Sequence, residues 1–183
     1  MVVDGVLGFT GGMNIIPGHR LADGPTFPVR DIHFSVRGPV VQQLAAVFVE
    51  DWQFGTGGEV LEVPEMPPPS GDGIWACGVP DGPDEDFLNL HTVFCGALSC
   101  AHEEIWISTP YFLPDQILLN HLILAGRRGV KVRVFLSETN NHAVVKWASE
   151  SNYDLLLRSG VELIETGGDF DHSKLFVVDG VFF

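Results

Sequence analysis

A histidine and a lysine separated by one residue, His172-Ser173-Lys174, lead into an apolar run, Leu175-Phe176-Val177-Val178, that closes on Asp179-Gly180. Residues two apart on an extended strand point to the same face, so the spacing predicts that His172 and Lys174 project together while Ser173 points away. An imidazole that titrates near neutral pH can attack phosphorus or pass a proton, and a neighbouring ammonium can hold anionic oxygens. The pair therefore suits phosphodiester chemistry. The run Leu175 to Val178 does not alternate, which predicts a central strand covered on both faces. Asp179 falls on the opposite face of an uninterrupted strand, ahead of a glycine, and the geometry gives it a turn-fixing role.

Taken alone, this pattern also describes a strand that carries a surface His and Lys. The opening of the chain adds to it. Val2-Val3-Asp4-Gly5 repeats Val177-Val178-Asp179-Gly180 letter for letter, an internal repeat at the two ends, and six residues after Asp4 come Gly11-Gly12-Met13-Asn14. On these residues the sequence resembles the phospholipase D superfamily, and most closely its bacterial cardiolipin synthase branch. The motif of that family reads HxK, four residues, Asp, six residues, then Gly-Gly/Ser-x-Asn, and two copies of it meet at one active site. The same resemblance runs through Arg30-Asp31-Ile32-His33, Glu50-Asp51-Trp52, the stretch from Ile107 to Asp115, Arg128-Gly129-Val130 and Trp147-Ala148-Ser149, and is weakest from Thr56 to Gly73.

The resemblance implies an α/β fold, a phospholipase D-like mixed sheet flanked by helices and incomplete at both ends. The His and Lys of the first motif copy would precede Met1, and the Gly-x-x-Asn rear of the second would follow Phe183. Residues 1–55 are then expected to be the C-terminal part of a first lobe, 56–73 a linker, and 74–183 the N-terminal part of a second lobe. His172, Lys174 and Asp179 are the catalytic set implied by the motif. His172 is expected as the acid/base partner of a phosphohistidine formed on the other motif's imidazole, although its sequence leaves the nucleophilic role open. Asn14 is expected to bind substrate by donating its amide to phosphate oxygens alongside Lys174, and Tyr111 to line a lipid or headgroup pocket. Where the family carries an acidic residue to orient a catalytic imidazole, this chain has Ile15-Ile16-Pro17-Gly18, which leaves Asp31 or another carboxylate to serve.

The implied activity is that of a phosphatidyltransferase of the cardiolipin synthase type, moving a phosphatidyl group between phosphatidylglycerol molecules at the bacterial inner (cytoplasmic) membrane, which the parent protein would engage. Neither cofactor nor metal is expected: His91, His102, His121 and His142 show no ligand spacing, and the resembled chemistry is metal-independent. Water as acceptor would make the same site a hydrolytic phospholipase D-like phosphodiesterase or nuclease. A third reading is a catalytically inactive fragment, since a two-histidine mechanism finds one motif histidine here; a homodimer would bring two copies of His172 together.

Composition bears on these alternatives. The chain has 183 residues, of which 45% are hydrophobic, enough for a real core. Ten Lys and Arg against 24 Asp and Glu give a net charge of -14, a poor match to nucleic acid, where phosphate neutralisation supplies most of the affinity. No apolar run is long enough for a transmembrane helix and the start lacks signal-peptide character. Cys77, Cys95 and Cys100 are expected as small core residues in a reducing compartment.

The elements that must position the motif residues can be read from periodicity. Ile32, Phe34 and Val36 are expected on one face of a half-buried strand, followed by a helix from Pro39 packed through Val40, Leu44, Val47 and Phe48. Acidic residues near Asp84 are placed to start a helix over about Phe87 to His102. Strands at Ile105–Ser108, Val130–Leu136 and Val161–Ile164 then alternate with helices near Asp115–Arg128 and Asn141–Arg158, which predicts a parallel or mixed sheet with function where strands end, in the loops Thr109–Pro114 and Ser137–Asn141. Trp106 and Trp147 are expected in the core or a pocket wall, and Arg127-Arg128 against a helix dipole.

Overall fold

A computed structural model describes residues 1–63, 73–82, 86–138 and 143–183. Half of the expected linker (64–72), the centre of the acidic turn (83–85) and the end of the loop expected after Ser137 (139–142) lie outside the described residues. In chain order the elements are β1 (Val2–Val3), β2 (Leu7–Gly11), β3 (Val29–Arg30), β4 (His33–Arg37), α1 (Val40–Thr56), α2 (Asn89–Cys100), β5 (Glu104–Ser108), α3 (Gln116–Arg127), β6 (Lys131–Ser137), α4 (Ala143–Glu150), α5 (Tyr153–Leu157), β7 (Glu162–Thr166), β8 (Phe170–Asp171) and β9 (Leu175–Val178). The chain divides into two compact units, one of residues 1–11 and 33–89, the other of residues 12–32 and 90–183.

In the first unit β1, β2 and β4 form an antiparallel sheet in that order, with Val3 opposite Leu7 and Gly11 opposite His33. Asp4 and Gly5 join β1 to β2 with φ of 51° and 65°, the left-handed pair that a tight hairpin requires and that Asp-Gly adopts at low cost. Pro39, expected in the first turn of a helix, is the N-cap of α1, and Gly57 in the left-handed conformation is its C-cap. Its buried residues are Val41 and Ala45, while Val47 and Phe48, expected to pack, are exposed. The buried stripe thus lies one residue round from the expected one, because the small Gly8 of β2 brings the sheet close to Val41 and Leu44. Phe34 is likewise exposed, so the outer end of β4 buries little.

The second unit is built on a four-stranded sheet in the order β7-β6-β5-β9, parallel except for β9, which runs antiparallel to β5. Ile105, Val132, Val134, Leu98, Leu122 and Leu156 are its most deeply buried side chains. The strand-helix alternation read from the sequence is present, with one change: the helix expected near Asn141–Arg158 is two, α4 and α5. Between them Ser151 turns its hydroxyl onto the Ala148 carbonyl at 2.7 Å, and the Asn152 N–H donates to Ser149 O, local bonds that end a helix. Asp115 caps α3 by accepting from the Leu118 N–H at 2.8 Å. Arg128 serves two helix ends: its backbone N–H caps α3, while its guanidinium donates to the carbonyls of Leu98 and Ala101 at the C-terminal end of α2.

Three expectations about packing are corrected. β9 lies at the edge of its sheet as described, not at the centre; Phe94 of α2 and the returning Phe182, which is bridged to Val178, both pack on its Phe176. Cys77 and Cys100 are exposed and Cys95 is half-buried, all three free. Trp147 is 69% exposed, and Trp106, also exposed, lies beneath the Arg133 guanidinium. No helix among the described residues is long and apolar enough to cross a membrane.

The sequence repeat recurs in the backbone. Asp179 and Gly180 have φ of 52° and 65°, and the Val181 N–H donates to Val178 O at 3.1 Å, as the Val6 N–H does to Val3 O at 3.1 Å. Asp179 has a further task. Its carboxylate accepts the backbone N–H groups of His102 and Glu103 at 2.8 Å and of Glu104 at 2.9 Å, binding the end of β9 to the entry of β5. These bonds, led by that from Glu104, hold its carboxyl below the ordinary carboxylate range. Because the folded-state value is depressed, the stabilisation is complete above the unfolded value of about 3.9 and is lost as pH falls through the folded one. Asp179→Asn is therefore expected to lower the melting temperature at neutral pH and to flatten the loss of stability on acidification. Thermal melts across the acid range check this, and parallel wild-type and variant curves would reject it.

Candidate active site

All five residues singled out from the sequence belong to the second unit, and four of them meet there: Asn14, Tyr111 and His172 line one cavity and Lys174 contacts His172. β3 and β8 pair in parallel, with Val29 opposite Phe170 and Arg30 opposite Asp171, and the His172 N–H continues the ladder onto Arg30 O at 2.8 Å. That pairing carries Asp31, the next residue after β3, to the His172 side chain. Asp31 Oδ2 lies 2.9 Å from His172 Nδ1, with the carboxylate fully buried and the imidazole 19% exposed. Asp31 is thus the carboxylate that stands where the segment Ile15 to Gly18 offers none. Its other oxygen accepts from the Ile32 N–H at 2.7 Å, so both oxygens are fixed.

Space for that carboxylate comes from Gly12. A Cβ at this position would stand 2.5 and 2.6 Å from the two Asp31 oxygens, nearer than any side-chain carbon can approach. The glycine of the Gly-Gly-x-Asn segment is therefore required by close packing, without any demand for unusual backbone angles.

With Asp31 accepting at Nδ1, the neutral imidazole carries its proton there and its lone pair on Nε2. Lys174 Nζ is 2.9 Å from Nδ1 and 3.1 Å from Nε2. A nitrogen nearly equidistant from both would overlie Cε1 if it lay in the ring plane, so it sits out of that plane, over the ring face. Lys174 also donates to the His172 carbonyl. His172, Ser173 and Lys174 precede β9 and are not part of it, but the same-side arrangement expected of His172 and Lys174 is present, and Ser173 is buried with its N–H on Asp171 Oδ1. Desolvation lowers the Lys174 pKa from its ordinary value, against the opposing pull of Asp31 and Asp171.

A cavity of about 510 Å³ opens beside His172, lined among others by Asn14, Tyr111, Asp169 and Phe170. Tyr111 meets the imidazole edge-on with centroids 6.1 Å apart, and Phe170 lies 5.8 Å from it on another side. Arg30 reaches Asp169 at 3.4 Å. Asp179 stands apart from this group, at the far end of β9, where it binds backbone as described above. Sequence reasoning did not single out His19, Asp169 or Phe170, which also line the cavity. Asp169 and Phe170 sit just ahead of the HxK segment and could have been found by proximity to it; His19 carried no motif signal.

A second constellation, outside this cavity, has a different character. Cys95 Sγ lies 3.8 Å from His91 Nδ1, and His91 Nε2 lies 2.8 Å from Asp115 Oδ2. Burial, with Asp115 adding to it, pushes the Cys95 thiol up, which opposes the thiolate a nucleophile needs. The cluster ties α2 to the start of α3.

If Gly12 exists to admit the Asp31 carboxylate, Gly12→Ala is expected to displace it and to abolish the downfield Nδ1–H proton resonance of His172, as Asp31→Ala would. Retention of that resonance in the glycine variant, seen by NMR, would show that the carboxylate does not depend on this space.

Comparison with known proteins places this geometry. Residues 94–183 match the family model described as cardiolipin synthase, PLD-like domain. The chain is 34% identical over 183 residues to a cardiolipin synthase of Alkalihalophilus pseudofirmus and 32% identical over 183 residues to a probable cardiolipin synthase of Bacillus subtilis, with 98% of this chain and 36% of each relative covered. The chain thus spans about a third of the length of these curated relatives. Its fold resembles that of phosphatidylserine synthase from Haemophilus influenzae, with a TM-score of 0.63, 15% identity, and coverage of 97% of this chain and 50% of that one. The fold is of the kind these similarities lead one to expect, and on the sequence matches the chain belongs to the phospholipase D superfamily, in its cardiolipin synthase-like branch.

Proposed function

We propose that this chain contributes one half of the active site of a phosphatidyltransferase of the cardiolipin synthase type, with His172 as its acid/base imidazole. The observation that carries this reading is the arrangement of three groups: Asp31 on Nδ1 of His172, Lys174 over the ring, and a cavity beside them that also holds Asn14. The relatives named cardiolipin synthase support it. The substrate is phosphatidylglycerol, met at a membrane surface.

In the proposed reaction a second imidazole, from a further stretch of the polypeptide or from a second copy of the chain, attacks the phosphorus of phosphatidylglycerol. The P–O bond to the headgroup glycerol breaks, and His172, protonated on Nε2, gives its proton to the departing alkoxide. His172 is then neutral and takes the proton from the hydroxyl of a second phosphatidylglycerol. That oxygen attacks the phosphohistidine, and the nucleophilic imidazole leaves. Asp31 holds the imidazole in the orientation both proton transfers require and balances its charge when it is protonated. Lys174 and Asn14 donate to the non-bridging oxygens as charge builds on them. Residues 1–55 and 74–183 correspond in this reading to the rear of one motif-bearing lobe and the front of the next, and Asp179 acts through the placement of β9.

Incubation of the 183-residue chain with labelled phosphatidylglycerol in mixed micelles tests the proposal. Cardiolipin is the expected product where a second copy of the chain supplies the other imidazole, and His172→Ala is expected to reduce it by about 10²- to 10⁴-fold, the range of a lost general acid/base; no product would mean that the nucleophile lies in a further stretch of the polypeptide. Phosphatidic acid as the sole product would reassign the site to hydrolysis. Turnover unaffected by His172→Ala would remove His172 from the mechanism.

A further inference from the structure

His19 lines the same cavity as His172, and neither of its ring nitrogens has a hydrogen-bonding partner among the described residues although both are buried. Buried polar atoms without partners are rare in folded proteins, and here they are clustered on one ring at a cavity wall. The position is fixed from the backbone. His19 ends a single 3-10 turn, Pro17–His19, whose Gly18 is pressed so closely on the Phe27 carbonyl that a Cβ there would stand 2.8 Å from the oxygen.

The rest of the wall limits what the ring can receive. The lining includes Asp169 but no Lys or Arg, and the nearby Arg30 guanidinium is directed to Asp169 at 3.4 Å. A second anionic group bound here would face a carboxylate with no lining cation to offset it. A neutral imidazole offers one donor and one acceptor, and a hydroxyl offers the same in return. We propose that His19 is a specificity-determining residue that binds the hydroxyls of an uncharged polyol headgroup while His172, Lys174 and Asn14 take the phosphodiester. The inference rests on the reading of the cavity as a phosphodiester site for a glycerol-bearing lipid and adds to it the residue that selects that alcohol.

The test compares two soluble probes on the 183-residue chain by NMR titration. Glycerophosphoglycerol carries the polyol on both sides of the phosphate; dipropyl phosphate keeps the phosphodiester and chain length and lacks every hydroxyl. The wild-type chain is expected to bind the first about tenfold more tightly, the effect of one or two hydrogen bonds. His19→Phe is expected to erase that preference and His19→Gln, which keeps a donor and an acceptor, to restore most of it. His172→Ala is expected to weaken both probes alike and leave their ratio intact. Equal binding of the two probes by wild type, still dependent on His172, would overturn the role of His19 and leave the phosphodiester site standing. A preference that survives in His19→Phe would overturn it too, and binding of neither probe would overturn both readings together.

Discussion

The hydrogen bond between Asp31 and His172 joins residues 141 positions apart, and much of the second unit is arranged so that it can form. A buried carboxylate is costly unless its oxygens are satisfied, and both are, by the Ile32 N–H and by the imidazole. The parallel pairing of β3 with β8 sets the approach of the two chain segments, and Gly12 leaves the volume in which the carboxylate sits. Removing any of these supports leaves a buried charge short of a partner as well as an imidazole free to turn. Fold stability and the tautomer of the site are therefore coupled through one contact.

Much of this was legible in the sequence because the signals were local. The HxK spacing, the strand-helix alternation after residue 100 and the Asp-Gly repeat each act over a few residues. The match of φ at Asp4 and Asp179 shows how directly a dipeptide can specify a turn. Asp31 could be offered as one candidate, from its place before a strand and the lack of an acid between Ile15 and Gly18, but its partner depends on the β3–β8 pairing, which joins two-residue strands too short to show any periodicity. His19 was silent for a related reason. Its relevance comes from what surrounds it in space, and a single histidine in a loop rich in proline and glycine carries no pattern.

The misjudged features share a cause. Helical spacing predicts packing for Val47 and Phe48, and side-chain type predicts a place in the core or a pocket wall for Trp106 and Trp147, yet all four are exposed. Apolar composition predicts burial only when neighbouring elements cover the face, and single-sequence periodicity cannot say which faces find cover. The unalternating run of β9 predicts a central strand, but an apolar run reports covered faces and not the number of neighbouring strands, and Phe94 of α2 and the returning Phe182 pack on Phe176 of this edge strand.

The strand Leu175–Val178 is clamped at both extremities: upstream by the His172 N–H on Arg30 O, downstream by the Asp179 carboxylate on three successive amides. Between two such clamps it works as a ruler. Its intervening side chains can be exchanged among apolar types of similar volume, but adding or deleting one residue would either pull Asp179 off its amides or swing the imidazole out of its seat. The invariant quantity in this part of the motif is a length, and drift in this lineage should tolerate substitution there far more readily than insertion.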